Sequence, residues 1–301
     1  MFSEFFDRFL DDDNDSPLEQ SPGDTDETSR SSDNKPLGTT LESTDIFTKD
    51  LLDGETVLIT GGGTGIGKEL ALGFADHGAD VAVVSRNMDH LSPVANEIED
   101  RGQNACARTV DVRDRSSVDE MRDYVIDELG EITCLINNAG ANFITPTEDI
   151  TEDDWNSVVG TILDGTANCS ISVGQHMIEN DGGTIISNGA TNSERGAPFH
   201  AHSGAGKAGV HNLMQTLAAE WAQHGIRANT VAPGFIETES ATEITGGSFP
   251  KYLLKFIAAD RFGKPKDCVP IFVFLASPAS SYITGSYIPV DGGHLLAPTS
   301  L

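Results

Sequence analysis

The segment Thr60-Gly-Gly-Gly-Thr-Gly-Ile-Gly67 carries five glycines where a short apolar run, Val57–Thr60, gives way to a helical pattern, Ile66–His77. Glycines in such a strand–turn–helix setting permit a tight turn and close approach of backbone to a ligand. The helix start then offers free N–H groups to an anion, which suits the diphosphate of a dinucleotide. A merely flexible turn is the competing reading. Ser85-Arg86 closes the next apolar run, 19 residues after Gly67. An acid there would bind the ribose hydroxyls of NAD. Arg86 instead suits the 2′-phosphate of NADP(H) through charge-assisted hydrogen bonds, unless it is an exposed structural arginine. Lys68 adds a second positive group beside the turn.

Other residues carry weaker signals. His200, His202 and His211 cluster in sequence near Lys207. They either donate protons or line a pocket wall, and they have no convincing metal partners. Lys251, Lys255, Arg261, Lys264 and Lys266 place five of the chain's 19 bases in 16 residues. That basicity fits the phosphates of an anionic ligand or, equally, salt bridging at a subunit contact. Phe143, Phe199, Phe249 and Phe256 either line an apolar channel or belong to the core.

The elements that must position these residues alternate. Strand-like runs fall at Val57–Thr60, Val81–Val84, Ala105–Val112, Cys134–Asn137, Thr184–Ser187, Ile226–Val231 and Tyr287–Val290. Helical patterns separate them, over Met88–Arg101, Val118–Leu129, Thr151–Glu179, 203–223 and Val269–Ala276, with an irregular excursion at 235–265. Strands alternating with helices predict a doubly wound parallel α/β sheet, a Rossmann fold, in one domain over 46–301. Residues 11–45 form an acidic linker, poor in large apolar residues and expected to be disordered. Before it, Phe2, Phe5, Phe6, Phe9 and Leu10 fall on one helical face of a short amphipathic segment, 1–10. That face either docks on a partner or packs on its own domain.

Composition narrows the partners. The net charge is −28, from 47 acids and 19 bases, and residues 1–53 carry −11 of it. Such a surface repels nucleic acid. It fits an enzyme adapted to high salt, or an ordinary acidic one. Cys106, Cys134, Cys169 and Cys268 have no metal-type spacing and read as reduced thiols in a cytoplasmic protein. No apolar run reaches the roughly 18–20 residues of a membrane span, and no secretory signal is expected at the N-terminus.

Thr60–Gly67, Asn137-Asn-Ala-Gly140, Lys207 and Pro233-Gly-Phe-Ile236 resemble the short-chain dehydrogenase/reductase family in order and spacing, from about Leu51 to Val290-Asp-Gly-Gly293. Ser85-Arg-Asn-Met-Asp89, Asp111-Val-Arg-Asp114, Asn142-Phe-Ile-Thr-Pro-Thr-Glu148, Asp164-Gly-Thr166 and Ala218-Ala-Glu-Trp221 look like its 2,4-dienoyl-CoA reductase branch. Members of that branch reduce a conjugated thioester with NADPH. The resemblance implies cofactor contacts at Gly61, Thr64, Gly65, Ile66, Gly67 and Arg86. Asp111 and Val112 would flank the adenine, and Asn138, Ala139 and Gly140 the ribose. Lys207 would hold the nicotinamide ribose, with Pro233, Gly234, Ile236 and Thr238 at the carboxamide. A homotetramer, assembled through the long helices near 151–179 and 203–223, is also implied.

The family's usual catalyst is Tyr-x-x-x-Lys, in which the lysine cation lowers the phenol's pKa. Here Ser203 stands four residues before Lys207, and none of Tyr124, Tyr252, Tyr282 and Tyr287 has a lysine four residues later. The family's serine falls on Ala190 and its middle-helix asparagine on Ile162. Dienoyl-CoA reductases also lack that tyrosine. Asn192 stands where their mitochondrial members carry a proton-donating tyrosine, and Asp164 where those carry an asparagine. The expected catalytic set is therefore Asp164, Asn192, Ser203 and Lys207, with Asp164 or a water held by Asn192 giving the proton. Asp164 can do so only if burial raises its pKa; otherwise it is a solvated or cap-forming residue. Three functions compete: a dienoyl- or enoyl-CoA reductase, a short-chain dehydrogenase for another carbonyl or alcohol, and a catalytically silent NADP(H)-binding scaffold.

Overall fold

A computed structural model describes residues 47–244 and 249–296, all within one compact unit. The expected amphipathic segment 1–10 and linker 11–45 lie outside the described residues.

Seven parallel strands form a single sheet: β1 (Thr56–Thr60), β2 (Asp80–Ser85), β3 (Ala105–Thr109), β4 (Cys134–Asn137), β5 (Gly183–Asn188), β6 (Ile226–Pro233) and β7 (Tyr287–Val290). Their spatial order is β3-β2-β1-β4-β5-β6-β7. The order reverses at β1, so a crevice opens beyond the carboxyl ends of β1 and β4. In doubly wound sheets that crevice is where ligands bind.

The helices are α1 (Gly65–Ala75), α2 (Met88–Glu99), α3 (Arg115–Leu129), α4 (Glu152–Val159), α5 (Gly165–Glu179), α6 (Ala201–Trp221), α7 (Glu239–Ile244) and α8 (Pro265–Ala276). Both sheet faces are covered, so the strands read as continuous apolar runs rather than alternating ones. Val57 and Ile59 of β1 pack with Leu70, Phe74 and Phe272 on one face. Leu58 points the other way, with Met121, Leu135 and Met214. No helix of the described residues is long and apolar enough to cross a membrane.

The single helix expected over Thr151–Glu179 is present as one continuous run, but it is not uniform. A π-helical turn, Gly160–Asp164, separates α4 from α5, and the Gly165 N–H reaches back to the Gly160 carbonyl. The extra residue in the turn shifts the faces that follow. Ile162 is buried against Gly206 of α6, whereas Asp164 is exposed. Such turns recur at functional sites. The excursion expected at 235–265 contains α7 and a 3-10 turn, Lys251–Phe256.

Candidate active site

The residues singled out in the sequence gather along one edge of the sheet. Gly61 follows β1, Arg86 follows β2, Asp111 follows β3, Asn138 follows β4, Ala190 and Asn192 follow β5, and Gly234 follows β6. The parallel arrangement alone brings them to the switch-point crevice.

The glycine turn is built for a close approach. Gly61 has φ +66°, and its N–H donates to the Val84 carbonyl at 2.7 Å. A Cβ on Gly67 would fall 2.1 Å from the Gly61 carbonyl oxygen and 2.5 Å from Asn138 Nδ2. The first turn of α1 carries no acidic residue, and the side chain of its N-cap, Thr64, makes no capping bond. Its leading N–H groups, those of Gly65, Ile66 and Gly67, therefore remain available to an anion. Thr238 closes on the same turn: a Cβ on Gly65 would meet Thr238 Cγ2 at 3.3 Å.

Asn138 and Thr60 hold this turn to its neighbours. Thr60 Oγ1 accepts from the N–H groups of Asn138 and Ala139, each at 3.0 Å. Asn138 Nδ2 donates to the carbonyls of Thr60 (3.1 Å) and Gly61 (3.0 Å), and its Oδ1 accepts from Asn188 Nδ2 at 2.8 Å. Both donor hydrogens of Asn138 are thus used within the protein. It shapes the wall of the crevice rather than presenting a donor to it.

Lys207 Nζ donates to the Asn188 carbonyl, and Gly140 stands close by, its Cβ position 4.0 Å from Nζ. Burial pushes the Lys207 ammonium down from 10.5 to about 8. Ser203 is buried one helical turn earlier. Asn192 leans on Gly204, whose Cβ position is 3.3 Å from the Asn192 carbonyl, and Asn192 Oδ1 is buried with no hydrogen-bond partner among the described residues. Lys207, Ser203 and Asn192 thus share one corner, where β5 ends against α6.

Asp164 does not join them. Its carboxylate is exposed, beside Gly160 and the Arg113 side chain. The π turn sends Ile162 toward α6 and leaves Asp164 on the opposite side. The proton-donor role expected for Asp164 required a buried carboxyl, and this one faces solvent, so that role is withdrawn in favour of the solvated reading. Asp164→Ala is expected to leave turnover within about twofold, since exposed substitutions away from a site have small effects. Steady-state rates of the variant check this; a loss beyond tenfold would restore Asp164 to the mechanism.

The histidines act separately. His202 is fully buried, stacks edge-on with Phe143 (4.5 Å between centroids), and accepts the Ser203 N–H at Nδ1, 2.7 Å. Burial pushes its pKa down, which keeps it neutral. His200 Nδ1 lies 2.8 Å from the Pro198 carbonyl, and the His211 ring packs edge-on against Tyr287. His202 is therefore an interior packing residue that accepts a backbone N–H. No group of described His, Cys, Asp and Glu residues could hold a metal ion.

Tyr287 is a residue that sequence reasoning missed. Its hydroxyl donates to the Ala190 carbonyl (2.9 Å) and accepts from Ser193 Oγ (3.1 Å), bracing the segment that carries Asn192. Nothing in the spacing announces it, because Tyr287 lies 97 residues from Ala190.

Beyond the end of β2, Arg86 is exposed and forms no ion pair among the described residues. Lys68 is not a second free cation: its Nζ pairs with Glu97 Oε1 at 2.6 Å. Asp111 is gripped by Arg113, whose Nε lies 2.9 Å from Oδ1 and Nη2 2.6 Å from Oδ2. That guanidinium holds the Asp111 carboxyl down at about 2. Val112 is buried, and Gly165 is what lets it pack: a Cβ there would fall 2.5 Å from Val112. At the other end, the Gly234 N–H donates to Val290, after Pro233 ends β6, and Ile236 bridges Gly263 in parallel register.

In the 235–265 region, Arg261 pairs with Asp267 at 2.8 Å, and Lys255 lies over the Phe256 ring. Lys251, Lys264 and Lys266 remain exposed. Phe249 joins Phe235, Phe262 and His294 in a half-buried aromatic group. The Nδ1 of His294 lies 3.4 Å from Thr191 Oγ1, next to Asn192.

A Rossmann sheet, a glycine turn at its switch point and a lysine reaching the end of β5 define a nicotinamide-dependent oxidoreductase. Residues 61–294 match the family model described as enoyl-(acyl carrier protein) reductase. The chain belongs to the short-chain dehydrogenase/reductase family. It is 36% identical to a probable 2,4-dienoyl-CoA reductase of Bacillus subtilis, over 82% of this chain and 99% of that protein. It is also 36% identical to the 3-oxoacyl-[acyl-carrier-protein] reductase FabG of Thermotoga maritima, over 80% of this chain and 98% of that one. The crystal structure of a putative gluconate dehydrogenase from Agrobacterium tumefaciens superposes with a TM-score of 0.79 at 32% identity, covering 83% of this chain and all of that one.

Proposed function

We propose that the chain is an NADPH-dependent reductase of a conjugated acyl-CoA thioester, a 2,4-dienoyl-CoA or an enoyl-CoA. The observation that carries this reading is Ser203, a buried hydroxyl one turn ahead of Lys207, where carbonyl chemistry in this family uses a phenol. A serine hydroxyl is far too weak an acid to protonate an alkoxide. A conjugated thioester makes no such demand. The negative charge that follows hydride addition spreads to the thioester oxygen, and the proton is needed at carbon, where water can deliver it.

The cradle at Gly61 and Gly67, which a Cβ would fill, fits a dinucleotide diphosphate, and the unpaired Arg86 fits a 2′-phosphate. NADPH, when bound, supplies the hydride, which enters at the distal end of the diene. The remaining work falls to side chains. Lys207 orients the nicotinamide ribose and brings a positive charge toward the corner where negative charge develops. Ser203 donates to the thioester oxygen. Asn192, whose buried Oδ1 lacks a partner among the described residues, holds the water that protonates the carbon next to the thioester. Hydride and proton together add one hydrogen to each end of the system.

Lys251, Lys264 and Lys266 receive the phosphates of coenzyme A, and Phe235, Phe249 and Phe262 face the acyl chain. The working form is a cytoplasmic homotetramer. The test is spectroscopic: NADPH with a 2,4-dienoyl-CoA at molar salt, followed at the nicotinamide band. Oxidation with the dienoyl-CoA and none with a simple ketone is the expected result. Turnover of the ketone alone would support the alternative of another carbonyl or alcohol substrate. Tight NADPH binding with no oxidation by either would leave a silent scaffold.

A further inference from the structure

Arg113 has no assigned role, yet it makes the densest set of ion-pair contacts at the crevice. Its guanidinium meets Asp111 through Nε to both carboxylate oxygens (2.9 and 3.1 Å) and through Nη2 to Oδ2 (2.6 Å), while its own backbone N–H donates to Oδ1 at 3.0 Å. The loop that carries the pair is fixed. Asn168 Nδ2 of α5 donates to the carbonyls of Val112 (2.9 Å) and Arg113 (3.3 Å), and the Asp114 N–H donates to the Asp111 carbonyl. The arginine stem runs beside Gly160, whose Cβ position is 3.6 Å from Arg113 Cδ and 3.8 Å from Asp164 Oδ2.

The position of this pair matters because of its neighbour. β2 and β3 run side by side with Ser85 opposite Thr109, and the Val110 N–H donates to the Ser85 carbonyl at 2.8 Å. Arg86 and Asp111 therefore leave adjacent strands at the same edge, close enough for the two charges to feel each other. A bare carboxylate there would do two things. It would draw the Arg86 guanidinium away from a ligand, and it would repel a phosphate seated on that guanidinium. In a chain of net charge −28, with a further exposed carboxylate, Asp164, beside Gly160, no surplus of positive charge offsets this.

We infer that Arg113 is a cofactor-selecting residue: by clamping Asp111 it removes a free negative charge from beside the 2′-phosphate site and leaves Arg86 to that phosphate. The inference rests on the reading of Arg86 as the 2′-phosphate ligand. An ion pair presents a short-range dipole where a lone carboxylate presents a charge, so the clamp acts on the phosphorylated cofactor and hardly on NADH. The fork of arginine is needed for this, because only a planar guanidinium grips both carboxylate oxygens at once.

The test measures cofactor binding directly, by titrating the intact chain with NADPH and with NADH and following nicotinamide fluorescence. Arg113→Met keeps the stem beside Gly160 and removes the charge. It is expected to weaken NADPH about three- to tenfold, leave NADH within about twofold, and lose most of this difference at molar salt. Adding Asp111→Asn to that variant removes the charge in need of a clamp and should restore the preference for NADPH. Equal weakening of both cofactors, or no change in either, would overturn the inference. Arg86→Ala separates the two levels. If it abolishes the NADPH preference while Arg113→Met does not, only the role of Arg113 falls. If Arg86→Ala leaves the preference intact, the assignment of the phosphate site falls first.

Discussion

Gly67→Ala is expected to abolish measurable NADPH binding and to lower the thermal midpoint by about 5–10 °C. A single methyl group would sit 2.1 Å from the Gly61 carbonyl oxygen and 2.5 Å from Asn138 Nδ2. Neither neighbour can yield. The Gly61 carbonyl belongs to a turn already tied to β2 through the Gly61 N–H, and Asn138 is held by Thr60, Gly61 and Asn188 at once. Overpacking of a rigid site costs about 1–3 kcal/mol, and about 2–4 °C per kcal/mol is usual for a domain of this size. The binding loss is larger than the stability loss for a geometric reason. Relief of the clash means moving α1 away from β1, and the start of α1 is where the diphosphate would rest. Differential scanning calorimetry and fluorescence titration read the two effects separately. Gly102→Ala makes a useful control: Gly102 also has a positive φ, +91°, but nothing lies within 4 Å of its Cβ position. It should lose some stability and no cofactor affinity. Full NADPH affinity in Gly67→Ala would place the dinucleotide elsewhere.

Much of this site was legible in the sequence because parallel topology does the assembly. Once Gly61, Arg86, Asp111, Asn138 and Gly234 are placed at strand ends, a doubly wound sheet brings them to one edge, with no knowledge of side-chain contacts. The strands were legible for a related reason. Runs such as Val81–Val84 are buried on both faces, and Cys134–Asn137 matches its observed bounds. Where the reading failed, the deciding fact was rotational. Asp164 and Ile162 are two residues apart, and a π turn within the helical run fixes which of them faces α6. Apolar periodicity over Thr151–Glu179 does not encode one extra residue in a turn. Lys68 illustrates the same limit. Its position beside the glycine turn was readable, but its capture by Glu97, a residue 29 positions away on α2, was not. Tyr287 was invisible for want of any local signature, since its hydrogen bonds span the distance from β7 to the end of β5.

Lys207→Met is expected to lower the rate of hydride transfer by about 10²–10⁴-fold, the range a positioned charge or proton-handling group commonly supplies. In the unaltered chain the same residue should set the alkaline limb of kcat/KM. Burial favours the neutral amine, so Lys207 loses its proton at about 8 rather than 10.5. On the proposed mechanism the ammonium is the working form, since its charge is what orients the ribose and attracts developing negative charge; kcat/KM is therefore expected to fall as pH rises through about 8. A bound dinucleotide brings anionic groups that favour the ammonium, so the limb of kcat should lie at higher pH than that of kcat/KM. Stability runs in the opposite sense. The folded chain binds this proton more weakly than the unfolded chain does, so between about 8 and 10.5 the unfolded state carries more protons and folding stability gains with pH. Below about 8 both states are protonated and the contribution is constant. Activity and stability should thus diverge across that window, and Lys207→Met should lose both dependences together. Lys207→Arg separates charge from geometry: arginine keeps its proton throughout, so any residual activity should show no limb near 8. An alkaline limb that persists in Lys207→Arg would assign it to another group and leave Lys207 a structural support for the Asn188 carbonyl.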